Sequence, residues 1–145
     1  MTATHRSASP FPTTGRRAET PRSMYDVRPW GSWEVLDVGD GYQVKRINVS
    51  PHSRLSLQTH AHRSEHWVVV SGVATCTVGR HTAEVGQGGR VDVPLGAAHR
   101  LANERDDELI VLELQVGSYL GEDDILRLAD DYGRDKEGGQ YSLAR

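Results

Sequence analysis

The stretch Gln58-Thr59-His60-Ala61-His62-Arg63-Ser64-Glu65-His66 gathers the side-chain types that bind divalent metals: imidazoles, a carboxylate and a neutral amide. Three of the seven histidines in the chain lie here. Side chains alternate along an extended strand, which predicts Gln58, His60 and His62 on one face and Leu55, Leu57 and Thr59 on the other. A turn at Arg63-Ser64 then brings Glu65 back beside them, so one strand pair can supply three ligands. The segment GGRVDVPLGAAHRLAN, Gly88 to Asn103, suggests a fourth. There a strand ends at Val93, Pro94 and Gly96 make a tight turn, and His99 opens the next strand. Proline fixes φ and glycine permits positive φ, which is what such a turn needs.

The elements that must position these residues are short strands. From Met24 to Ser118, runs rich in Val, Ile, Leu and Thr are separated by Gly, Pro, Asp and Asn. The pattern predicts strands at Ser32–Val38, Tyr42–Val49, Leu55–His60, Glu65–Ser71, Ala74–Val78, His81–Val85, Gly89–Val93, His99–Ala102 and Leu109–Val116. Connections this short predict antiparallel hairpins. The run EHWVVVSG is apolar on both faces over its middle, as a strand buried in a sandwich or barrel would be. One helix is expected, Asp123–Tyr132, with Glu122, Asp123 and Asp124 at its N-terminus, where the dipole favours negative charge. Residues 1–23 are rich in Ser, Thr, Pro and Arg and carry too little apolar surface to order alone. The chain therefore divides into a disordered tail at 1–23, one domain at 24–134 and a second tail at 135–145.

Composition bounds the partners. The sequence has 145 residues, 37% of them hydrophobic and 26% charged, enough for one globular domain with a real core. Seventeen Lys+Arg against twenty Asp+Glu give a formal charge of −3. No strong basic field is available to hold nucleic acid or an acidic membrane surface, so any bound anion must be gripped locally. The single cysteine, Cys76, can form no intramolecular disulfide. No apolar stretch has the length of a membrane span and the N-terminus has no signal-peptide core, so the expected address is the cytoplasm. The expected assembly is a homodimer joined through edge strands.

Gly88-(five residues)-Pro94-x-Gly96-xx-His99-xxx-Asn103 matches the second cupin motif at each defined position. The first cupin motif is matched by the segment ending Glu65-(six residues)-Gly72, with His60 in place and Gln58 where most cupins have histidine. RLSLQTHAHRSEHWVVVSG (Arg54–Gly72), RPWGSWEVLD (Arg28–Asp37), YQVKRI (Tyr42–Ile47) and GSYLGEDDILRLADDYGR (Gly117–Arg134) resemble, more narrowly, the C-terminal isomerase domain of type II mannose-6-phosphate isomerases. The resemblance covers about residues 24 to 134. It implies an all-β, cupin-type antiparallel jelly-roll barrel with a short C-terminal helix. In that family the domain usually follows a guanylyltransferase domain with a glycine-rich nucleotide signature. No such signature occurs in these residues, so the resemblance implies isomerase activity without GDP-mannose synthesis.

By analogy with the type I enzymes, which place a Gln-x-His pair at their zinc site, the metal is assigned to Gln58, His60, Glu65 and His99. His62 could replace Gln58 as ligand. Interconverting mannose 6-phosphate and fructose 6-phosphate requires proton transfer between neighbouring carbons through an enediolate. A divalent metal would stabilise the oxyanion, with zinc the leading candidate and manganese or cobalt the alternatives. Lys45 shares a strand face with Ile47 and Val49, so it enters the barrel or snorkels at its mouth. Arg63 and, less favoured, Arg100 are further phosphate contacts. The base is sought among His62, His66 and Glu113, with His62 preferred. Trp30, Trp33 and Trp67 are assigned structural roles. Competing readings are a cupin that binds a sugar phosphate without turnover, and a metal-dependent dioxygenase or decarboxylase on the same barrel.

Overall fold

The computed structural model describes residues 24–135. The tails expected at 1–23 and 135–145 lie outside this range, apart from Asp135. The strands are β1 (Tyr25–Arg28), β2 (Gly31–Gly39), β3 (Tyr42–Val49), β4 (Ser53–Arg54), β5 (Leu57–Thr59), β6 (Arg63–Ser71), β7 (Ala74–Val78), β8 (His81–Val85), β9 (Arg90–Val93), β10 (His99–Asn103), β11 (Leu109–Gly117) and β12 (Leu126–Ala129). One sheet runs β1-β2-β3-β11-β6-β9 and the other β12-β5-β10-β7-β8, with β4 on β10. All these pairings are antiparallel.

The core lies between the sheets. Ile47, Val49, Trp67, Val69, Val93, Leu109 and Val111 come from the first sheet, and Ala74, Cys76 and Leu101 from the second. Strand alternation makes one end of this interior apolar and the other polar. On β3 the buried residues are Gln43, Lys45, Ile47 and Val49, and on β11 they are Leu109, Val111, Glu113 and Gln115. On β6 they are Arg63, Glu65, Trp67 and Val69. Register aligns the sequences: Val111 faces Ile47, Glu113 faces Lys45 and Trp67, and Gln115 faces Gln43 and Glu65. Three neighbouring strands thus turn from apolar to polar at the same level.

Two expected elements differ. Leu55–His60 is not one strand but β4 and β5 with a break between them, and the chain leaves the ladder after Thr59. The helix expected over Asp123–Tyr132 is absent; Leu126–Ala129 is strand β12, paired with β5. Leu126 and Leu128 point outward while Arg127 and Ala129 are half-buried, a period of two. Without β12, β5 would present an open edge, and ladder hydrogen bonds outweigh local helix preference. The acidic cluster therefore caps no helix. Instead Asp124 accepts hydrogen bonds from the backbone N–H groups of Ala61 (3.0 Å) and His62 (2.9 Å). No helix among the described residues is long and apolar enough to cross a membrane.

Candidate metal centre and substrate cavity

β5 and the bend after it deliver Gln58 and His60, β6 delivers Arg63 and Glu65, and the Pro94–Gly96 turn delivers His99. The Gly96 N–H donates to the His60 carbonyl at 3.1 Å, tying this turn to the bend after β5. Gly96 has φ +77°, which a side chain would strain. Gly117 closes the same corner: a Cβ there would lie 2.0 Å from the His62 carbonyl oxygen.

The ligand atoms of His60, Glu65 and His99 lie within 4.8 Å of one another, and all three residues are buried. His60 Nε2 stands 3.0 Å from Glu65 Oε1, and His99 Nε2 stands 3.5 Å from Glu65 Oε2. Each ring's other nitrogen meets a backbone carbonyl, Nδ1 of His60 at Asp124 O (2.6 Å) and Nδ1 of His99 at Ala97 O (2.9 Å). A carbonyl only accepts, so Nδ1 carries the proton in both rings. With neutral imidazoles each Nε2 then aims a lone pair at a carboxylate, and acceptor faces acceptor. Arg63 Nη2 bridges the pair at His60, and a cation among the three residues would satisfy both rings, in the usual second-shell arrangement of metal-bound histidine. Burial first holds His99 below the ordinary histidine value and so favours its neutral form. Burial alone would raise Glu65, yet the adjoining His60 and His99 rings and the Arg63 guanidinium together hold its carboxyl well below the usual range. These donors fit a divalent ion of the zinc type. Gln58 is buried, is the register partner of His99, and lines the same cavity, so its amide oxygen is available as a fourth donor.

Arg63 is buried beside this cluster. Its Nη2 lies 3.0 Å from Glu65 Oε1 and donates to His60 Nε2 at 3.2 Å, while its Nη1 is buried with no hydrogen-bond partner. Lys45 is 4% exposed, pairs with Glu122, and sits 4.3 Å from the centre of the Trp33 ring. It therefore enters the barrel rather than snorkelling at its mouth. Trp67 Nε1 donates to Glu65 Oε2 (3.0 Å) and Glu113 Oε2 (3.2 Å), linking two carboxylates. Burial and then the Glu65 charge push Glu113 up to about 8. All these residues except His60 line one open cavity.

His62 is placed elsewhere. Alternation ends with β5 at Thr59, and the Asp124 carboxylate holds the Ala61 and His62 backbone in a bend. The His62 side chain is exposed, packs edge-on to Tyr119 with centroids 6.1 Å apart, and is not part of the cavity lining. It does not share a face with His60. Arg100 is also outside the cavity, donating to the carbonyls of Leu55 (3.0 Å) and Ala129 (3.1 Å). His66 lies on the outer face of β6 with Asp92 at 2.8 Å. His52 and His81 are exposed, and His5 falls outside the described residues.

Cavity residues beyond the sequence reading are Arg28, Gln115, Glu122, Arg127 and Arg134. Gln115 had a readable signal, since it continues the inward alternation of Leu109, Val111 and Glu113. Arg127 was concealed by the expectation of a helix.

The fold and this cluster define a cupin-type barrel with a buried His/Glu cluster that could hold a metal at its polar end. A family model described as mannose-6-phosphate isomerase C-terminal matches residues 15–130, and the chain belongs to that family. It is 49% identical over 121 residues to the alginate biosynthesis protein AlgA of Pseudomonas aeruginosa, covering 83% of this chain and 25% of that protein. It is 50% identical over 113 residues to the mannose-1-phosphate guanylyltransferase of Escherichia coli, covering 78% of this chain and 23% of that protein. The chain thus spans about a quarter of the length of the curated relatives it matches. The cupin domain of Cnp3 from Schizosaccharomyces pombe superposes with a TM-score of 0.58 at 12% identity, over 60% of this chain and 61% of that one. That likeness concerns the fold alone.

Proposed function

We propose that this chain is a metal-dependent aldose–ketose isomerase that interconverts mannose 6-phosphate and fructose 6-phosphate. The observation that carries the reading is one cavity holding the Glu65–His99 side of the metal-ligating cluster, a further buried carboxylate and buried cations, in a member of this family. His60, Glu65 and His99, with Gln58, would hold a divalent ion, for which zinc fits the donors and manganese or cobalt is an alternative. When bound, that ion supplies Lewis-acid stabilisation of oxyanion charge on the sugar.

The remaining work falls to side chains. Glu113 is the cavity carboxylate outside the metal cluster, and the Trp67 indole N–H fixes its Oε2. We assign it the proton transfer between neighbouring sugar carbons in place of His62, whose side chain lies outside the cavity. Lys45, across the ladder from Glu113, offers an ammonium to the enediolate oxygens. Arg63 orients Glu65 and His60 and presents its unpartnered Nη1 as a donor. Trp30, Trp33 and Leu55 supply the apolar wall that limits water.

Proton NMR of mannose 6-phosphate with zinc-loaded protein in deuterium oxide tests this. Fructose 6-phosphate should form, with solvent deuterium entering at the carbon that receives the proton. Unchanged substrate would overturn the proposal.

A further inference from the structure

We propose that Arg127, seconded by Arg28, is the anchor for the phosphate of the sugar substrate. The inference rests on the sugar-phosphate reading of the cavity and deepens it.

Position comes first. Arg127 on β12 is the register partner of Gln58 on β5, and Gln58 is the register partner of His99 on β10. Direct cross-strand partners project to the same face, so the three side chains form one row pointing into the barrel. Two cross-strand spacings set Arg127 roughly 10 Å along the sheet from His99. An open-chain hexose lying along that row, with its C1–C2 end at the metal centre, carries its C6 ester to Arg127.

Charge comes second. Among the described residues, four of the five cations lining the cavity are already engaged. Arg63 is held by Glu65 and His60, Lys45 by Glu122, and Arg28 by Asp26 at 3.2 Å. Arg134 makes two parallel bonds to Asp130, both 2.9 Å. Arg127 has no ion pair among the described residues, and its Nε is buried with no hydrogen-bond partner. A buried guanidinium N–H without an acceptor is unfavourable, and a phosphate presents oxygens that match the guanidinium fork. Arg134 and Arg28 lie within electrostatic reach of Arg127, as do the carboxylates of Asp130 and Glu122, which are already paired with Arg134 and Lys45. Of these two arginines, Arg28 has the weaker existing partner: its Asp26 is about half exposed, whereas the Asp130 side chain that holds Arg134 is buried.

Calorimetry on zinc-loaded, full-length protein tests the anchor without requiring turnover, using mannose 6-phosphate and inorganic phosphate as probes. Arg127→Gln should weaken both by roughly 10- to 100-fold with metal content unchanged, and in steady-state kinetics its loss should fall mainly on KM. Arg127→Lys, which keeps the charge but not the fork, should lie between, and Arg28→Gln should weaken both probes less. Wild-type affinity in Arg127→Gln overturns the anchor, as does a wild-type protein that binds neither probe. Should Arg127→Gln fail to fold, wild-type affinity in both Arg127→Lys and Arg28→Gln overturns it. Wild-type protein that binds mannose 6-phosphate without converting it, with binding lost in Arg127→Gln, sinks the isomerase reading and leaves the anchor standing.

Discussion

His99 Nε2 stands 3.5 Å from Glu65 Oε2 while its Nδ1 is committed to the Ala97 carbonyl. His60 repeats the arrangement against the other carboxylate oxygen, with Nδ1 at the Asp124 carbonyl. Two ring nitrogens facing one buried carboxylate form a cluster that could hold a cation.

Substitution at the cluster should separate ligands from neighbours. His60→Ala and His99→Ala should each lower metal affinity by more than about 100-fold, beyond the usual cost of losing a supporting partner. Gln58→His should retain or tighten binding. His62→Ala should keep metal and stay within about threefold of wild-type activity, as exposed substitutions do. Metal analysis of the purified variants, read beside their rates, checks this; a metal-free His62→Ala would move the ligand set.

Glu113→Gln should lower kcat by roughly 10²–10⁴ with metal content near wild type. The amide keeps an oxygen to accept from Trp67 Nε1 but leaves Gln115 Nε2 without its acceptor, so a melting temperature measured beside kcat separates lost proton transfer from lost packing. Near-normal kcat in a metal-loaded variant would remove Glu113 from the mechanism.

Stability should carry a pH signature from Asp130. Hydrogen bonds from Arg134 hold its carboxyl below the ordinary range. A folded pKa below the unfolded one gives stability that is full above the unfolded value, about 3.9, and is lost as pH falls through the folded value. Asp130→Asn should therefore cost about 1–2 kcal/mol near neutrality. The gap in melting temperature should stay constant from about pH 7 to 5 and close below about pH 4. A gap independent of pH would mean the pair acts without charge.

Much of this architecture was legible because strands declare themselves through alternation. The spacing of Lys45 to Ile47 and Val49 narrowed it to the barrel interior or its mouth, and β2, β3, β7, β8 and β11 lie where their apolar runs end, whereas β6 begins at Arg63, inside the expected turn. The errors share a cause. Asp123–Tyr132 reads as a helix in isolation because its acidic start and leucines suit one, and only the open edge of β5, distant in sequence, makes it a strand. His62 would extend the face of His60 only if the strand continued past Thr59. The bend that turns it outward is held by Asp124, a residue 62 positions away. Local pattern specifies elements, whereas long-range hydrogen bonds decide where they stop.

The central claim is tested most directly by a coupled assay that follows fructose 6-phosphate formation from mannose 6-phosphate. The purified chain should be measured as loaded with zinc, after exhaustive chelation, and after zinc is restored. The account predicts turnover in the loaded protein, its loss on chelation, and its return with the metal. No product from folded, metal-loaded protein, or full turnover from protein shown to be metal-free, would contradict it.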